Sequence, residues 1–189
     1  MGLDTLIKKL PEYAADIKIN LDELFSEKTS SIFAPSQLYG VALSVAYSLR
    51  CEALLNSIRA EAKIHLEESE AQTCKVASVM MGMNNVYYRF LYTAEDTEQL
   101  IRENISPQML NMRAIKDENF DLYCLAVSIL SGCKYCIDVH IKKLTQMGLT
   151  HQMFCHVGRI AGTLKAVRDT LEIERMRSYD FVVREASID

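Results

Sequence analysis

With 189 residues, 49% of them hydrophobic, the chain is long enough to bury a core and too apolar to remain disordered. A net charge of -4, with Lys and Arg scattered and no basic tract, removes the electrostatic case for nucleic-acid binding. No stretch is apolar for long enough to span a bilayer.

Seven glycines and three prolines are few for a turn-rich β protein, and Leu, Ala, Met, Glu and Lys are plentiful, so the expected fold class is all-α. Leu3–Leu10 and Tyr13–Leu24 read as two short helices around Pro11. The first is broken by Asp4, Lys8 and Lys9 and does not read as a secretory leader, so the expected location is cytoplasmic. Glu27–Phe33 is polar and reads as a loop. Pro35 opens a helix over Gln37–Leu49, with Leu38, Val41, Ala42, Val45 and Leu49 at helical spacing. Cys51–Leu66 follows, apolar along Leu54, Leu55, Ile58 and Ala62. Gln72–Met83 comes next. The run from Met81 to Phe90, with Asn84 and Asn85 adjacent, reads either as a helix end packed into core or an interface, or as a wall of a substrate pocket. Thr93 reads as the N-cap of a helix ending near Asn104, and Ser106-Pro107 as the start of a short turn reaching Leu110. Asp117–Leu130 is a strongly apolar helix. Gly132 separates it from a helix running to about Met147, with Gly148 as its C′ residue. Thr150 caps a last helix from His151 to about Leu171, with a more charged continuation to Phe181.

The chain reads as one domain over 1–189. Weak internal similarity joins Leu43–Cys51 to Leu125–Cys133, and Cys74-Lys75-Val76 to Cys155-His156-Val157. Halves of about 35–92 and 117–171 would each read helix, break, helix, turn, helix. Ordinary Leu/Val patterning in two helical hairpins explains the similarity equally well.

Cys133, Cys136 and His140 stand at i, i+3 and i+7, which places them on one helical face. Gly132 sets Cys133 at a helix start, where unpaired N–H groups and the helix dipole favour a thiolate. Three readings follow. A redox pair would use one thiolate as nucleophile and the other cysteine to resolve the product, with His140 moving protons. A zinc site would need a fourth ligand or a water, and no second Cys-x-x-Cys exists to supply it. The cysteines could also be core residues without chemistry. Heme attachment is excluded because Ile137, not His, follows the second cysteine. Cys51, Cys74, Cys124 and Cys155 lie in apolar helical patterns and read as structural. His65 reads as a surface residue, His151 as an early-helix residue and His156 as solvated.

Asn119-Phe120-Asp121-Leu122, followed by Ser128 through Cys133, Cys136 and His140, closely resembles the AhpD family of alkyl hydroperoxide reductases, within the carboxymuconolactone-decarboxylase superfamily. Leu10-Pro11-Glu12-Tyr13-Ala14 and Met81 through Arg89 extend the likeness over nearly the whole chain, fading after about Leu171. The resemblance implies an all-α fold of two similar helical halves, usually a homotrimer. It implies a peroxidase with no bound metal or other cofactor. Its electrons would come from lipoyl groups (dihydrolipoamide) on a 2-oxoacid dehydrogenase component. Its dithiol would reduce a partner peroxiredoxin, AhpC, or a hydroperoxide directly. By position, Cys136 would become the sulfenic acid, Cys133 would be proton donor and resolving cysteine, and the two would close a Cys133–Cys136 disulfide. His140 would serve a proton relay, with Asp121 as its carboxylate. Helix-terminus logic alone would instead favour Cys133 as the nucleophile. Two positions depart from the family: Asp121 stands where Glu is usual, and Tyr135 where His is frequent. A redox-sensing or zinc-binding scaffold, or a decarboxylase of the same superfamily, are the alternatives.

Overall fold

The computed structural model describes residues 2–26, 29, 31–110, 112 and 115–180, the last four of these by backbone alone. Among them it is all-α, and no strand is present. Two short helices, α1 (Leu3–Lys9) and α2 (Ala15–Leu24), are joined by a single 3-10 turn after Pro11. The hairpin α3 (Pro35–Leu49) and α4 (Glu52–Ala62) follows, then the long α5 (Glu68–Thr93) and the short α6 (Thr97–Arg102). A second hairpin, α7 (Phe120–Ser131) and α8 (Lys134–Gln146), precedes the long α9 (His151–Asp180).

Local chemistry explains most boundaries. Pro35 occupies the first turn of α3, where its missing N–H costs nothing, and Gln37 Oε1 accepts from Ala34 N at 3.1 Å. Glu70 does the same for Glu67 at the start of α5, at 2.8 Å. Gly132 ends α7 in the left-handed region at φ 66°, and Cys133 N then reaches Ser128 O at 3.3 Å, closing the last turn. Gly148 follows α8 with φ +89°, and Thr150 Oγ1 accepts from Met153 N at 3.3 Å to start α9.

α7 is the centre of the packing: it touches α3, α5, α8 and α9. Leu122, Tyr123, Cys124, Leu125 and Ala126 are all fully buried, so this helix is apolar all round as an interior helix must be. Its start is tied to α3 by Gln37 Nε2, which donates to Asn119 Oδ1 at 3.2 Å. α3 approaches so closely that Gly40 faces the Tyr123 ring with no room for a Cβ.

Five expectations are corrected. The helix expected to end at Met83 runs on to Thr93, so the Met81–Phe90 run lies in the second half of one continuous helix, with Met81, Asn84 and Asn85 packed into the core as one reading had it. Thr93 is the last residue of α5, and Asp96 is the N-cap of the next helix. Cys155 is exposed, unlike the buried Cys51, Cys74 and Cys124. His156 is half-buried against the edge of Phe33, not solvated. Residues 104–109 are irregular, and the expected turn from Ser106 to Leu110 forms no helix there. The last helix continues past Leu171 to Asp180, while Phe181 and parts of the expected Glu27–Phe33 loop lie outside the described residues.

Candidate active site

The α7–α8 hairpin carries the site. Cys133 is the N-cap of α8, and its Sγ accepts from Cys136 N at 3.3 Å. The two cysteines are joined as a disulfide, with Cα atoms 5.3 Å apart. Both are buried, Cys133 completely and Cys136 to within 4% exposure. His140 lies one helical turn beyond Cys136 on the same face, at 5% exposure.

The hairpin folds α7 back on α8, so residues 19 positions apart meet: His140 Nδ1 lies 3.1 Å from Asp121 Oδ1. Asp121 Oδ2 pairs with Lys143 Nζ. Burial pushes the Asp121 carboxyl up. Hydrogen bonds from His140 and Lys143, with their charges, more than offset that and hold it below the usual carboxylate range. An ionised Asp121 accepts from Nδ1–H, which leaves Nε2 as the ring nitrogen free to exchange a proton. Glu118 is exposed and takes no part. Lys143 is the member that sequence reading missed. Its signal was present, since it stands three residues after His140 on the same helical face.

α5 buttresses the hairpin. Asn85 Nδ2 donates to Val127 O at 3.3 Å, and Ser128 Oγ donates to Asn85 Oδ1 at 3.1 Å, all in the interior. Arg89 Nη1 donates to Ser131 O, just before the dithiol. Tyr135, between the cysteines, stacks on Tyr92 with ring centroids 4.0 Å apart and planes at 12°, and lies 5.2 Å from Tyr88. Its hydrogen bond with Tyr92, then burial and the neighbouring phenols, raise its pKa, so it is no base near neutral pH. Two other thiols, Cys74 and Cys124, are poor nucleophiles: burial pushes Cys74 up to about 12 and Cys124 well above the ordinary value. Among the described residues no three His, Cys, Asp or Glu side chains converge as a metal site.

Comparison with known proteins agrees with this picture. The carboxymuconolactone decarboxylase family model matches residues 114–169, the segment that holds the dithiol hairpin. A Coxiella burnetii protein named alkyl hydroperoxide reductase AhpD is 39% identical over 173 residues, covering 91% of this chain and 98% of its own. Proteins of the same name from Corynebacterium kroppenstedtii and Rhodospirillum centenum are 33% and 31% identical, over 94% and 92% of this chain and 100% and 92% of theirs. Similarity at this level along almost the full length of both chains means that the protein belongs to the AhpD family of alkyl hydroperoxide reductases.

Proposed function

We propose that the protein is an antioxidant hydroperoxide reductase whose working group is the Cys133–Cys136 dithiol and whose electrons come from dihydrolipoyl groups. The observation that carries this reading is the alignment of three parts: a cysteine pair at a helix start, His140 one turn along, and Asp121 on the far nitrogen of that His. His140 takes the proton of the Cys136 thiol, because it follows that cysteine by one turn. The Cys136 thiolate attacks the terminal peroxide oxygen, the O–O bond breaks, and the alkoxide leaves as the alcohol after taking a proton. Cys136 is then a sulfenic acid. Cys133 attacks its sulfur, hydroxide leaves as water, and the disulfide forms. Exchange with a dihydrolipoyl dithiol restores both thiols and yields the lipoyl disulfide. The complete burial of Cys133 supports its resolving role, since an incoming peroxide meets the less enclosed Cys136 first.

Asp121 is the relay carboxylate in this scheme, directly bonded to His140 despite being one methylene shorter than Glu. The reduced dithiol would serve an alkyl hydroperoxide directly or recycle a peroxiredoxin such as AhpC, with a lipoyl-bearing 2-oxoacid dehydrogenase component upstream. A cytoplasmic homotrimer is the expected setting.

The test is reconstituted turnover. Lipoamide, dihydrolipoamide dehydrogenase, NADH and cumene hydroperoxide are mixed with the protein, and NADH loss is followed. Peroxide-dependent loss that needs every component, and that Cys133→Ser and Cys136→Ser each abolish, is expected. Absence of peroxide-dependent loss would defeat the reading. Trapping the sulfenic acid assigns the order of attack. Label on Cys133→Ser and not on Cys136→Ser is expected, and the reverse pattern would make Cys133 the nucleophile.

A further inference from the structure

A hollow of about 770 Å³ lies among α3, α5, α7 and α9, apart from the His140–Asp121 pair. Arg50, Lys75, Lys165 and Arg168 line it, and no Asp or Glu does. In a chain of net charge -4 this local excess of cations stands out. Asp169, beside the hollow, lies 2.6 Å from Lys165 Nζ and 2.9 Å from Arg168 Nε, so one carboxylate is shared between two cations. Lys75 Nζ has the neutral amide oxygen of Gln72 at 3.3 Å. Among the described residues, Arg50 has no carboxylate within ion-pair distance.

Two further observations concern the same wall. Arg50 adopts φ 55°, ψ 26°, and it is the one non-glycine residue at positive φ among the described residues. The matching turn between α7 and α8 uses Gly132, which takes this conformation without a Cβ clash. An arginine is thus held at the hollow against the backbone preference, which is the kind of outlier that points to use. Ser48 Oγ, also on the hollow, is buried with no hydrogen-bond partner. One face of α5 gives the hollow an apolar side, with Val79 72% exposed, Val86 59% and Met83 41%, while Ser78, Asn85 and Ser131 also line it.

We propose that this hollow binds an anionic alkyl amphiphile, with the acidic head among the four cations and the alkyl chain over Val79, Met83 and Val86. The volume falls in the range of small-molecule pockets. The charge pattern selects an anion, and the exposed α5 face accounts for the tail. Neither the dithiol nor its electron donor is involved, so the proposal stands apart from the redox reading.

The experiment is calorimetric titration of the full chain with decanoate, decyl phosphate and decanol, each below its micellar concentration. At least one anion should bind tenfold or more tighter than decanol, and the better of the two identifies the head group. Arg50→Gly is the informative variant, because glycine suits the backbone there and folding should not suffer. It should weaken the anion at least fivefold, leave decanol unchanged and leave peroxide turnover unchanged. Lys75→Gln should behave alike, while Cys136→Ser should bind as the parent does. Equal affinity for decanoate, decyl phosphate and decanol would overturn the proposal, as would full anion affinity in the Arg50→Gly, Lys75→Gln double variant. A sedimentation mass that falls in Val79→Glu, together with no anion binding by the parent, would assign the hollow to a second copy of the chain and also overturn it.

Discussion

Asp121 is the residue on which charge, burial and chemistry meet. Its carboxylate is enclosed and holds both His140 and Lys143. Asp121→Asn keeps the shape but removes the charge, and the amide can present its N–H to His140 and turn the ring to the wrong tautomer. Turnover should fall by about 10²-fold, while Asp121→Glu stays close to the parent. Equal kcat in all three forms would remove Asp121 from the relay. The same carboxylate has a signature in stability. Its folded pKa lies below the unfolded one, so unfolding takes up a proton at acid pH. Its contribution is complete above the ordinary carboxylate range and is lost as pH falls below about 4 through the folded value. Thermal melts of Asp121→Asn should therefore lose less on acidification than the parent's do.

At the scale of elements, the contact between α3 and α7 sets a sharper limit than any cap. A Cβ on Gly40 would sit 2.4 Å from the Tyr123 ring, and Tyr123 is fully buried with nowhere to move. Gly40→Ala should cost about 2–3 kcal/mol in urea unfolding. Gly162→Ala, mid-way along α9 with nothing within 4 Å of the added carbon, should instead stabilise by roughly 0.5–1 kcal/mol. These two glycines look alike in the sequence and differ only in what another helix brings up to them. That contrast marks what was legible. Apolar periodicity, Pro35, Gly132, Gly148 and Thr150 reveal the long helices and several of their ends, because those signals are local. The extent of α5 was not legible. Gly82, Asn84 and Asn85 are weak helix formers, and Asn85 is kept helical by Val127 and Ser128, 42 and 43 residues away.

At the scale of the molecule, the dithiol face was readable from i, i+3, i+7 spacing, while the partner of His140 was indicated only by family resemblance, because nothing local joins positions 121 and 140. The buttress behind the site was invisible for the same reason. Asn85 is 1% exposed and spans α5 and α7, giving its N–H to Val127 O and its carbonyl to the Ser128 hydroxyl. Asn85→Ala removes both bonds of the bridge, although Val127 O keeps Ser131 Oγ at 3.2 Å and Ser128 Oγ keeps Cys124 O at 2.8 Å, and should cost about 1–2 kcal/mol. Ser128→Ala removes the other end, but Asn85 keeps Val127 and the cost should be nearer 1 kcal/mol. If the two side chains work as one bridge, the double variant cannot lose their shared bond twice. Its destabilisation should fall short of the sum of the singles by at least ~0.5 kcal/mol, the scale of coupling between directly bonded residues. Strict additivity in a urea double-mutant cycle would show that Asn85 acts on Val127 independently of Ser128, so that the two side chains form no single bridge.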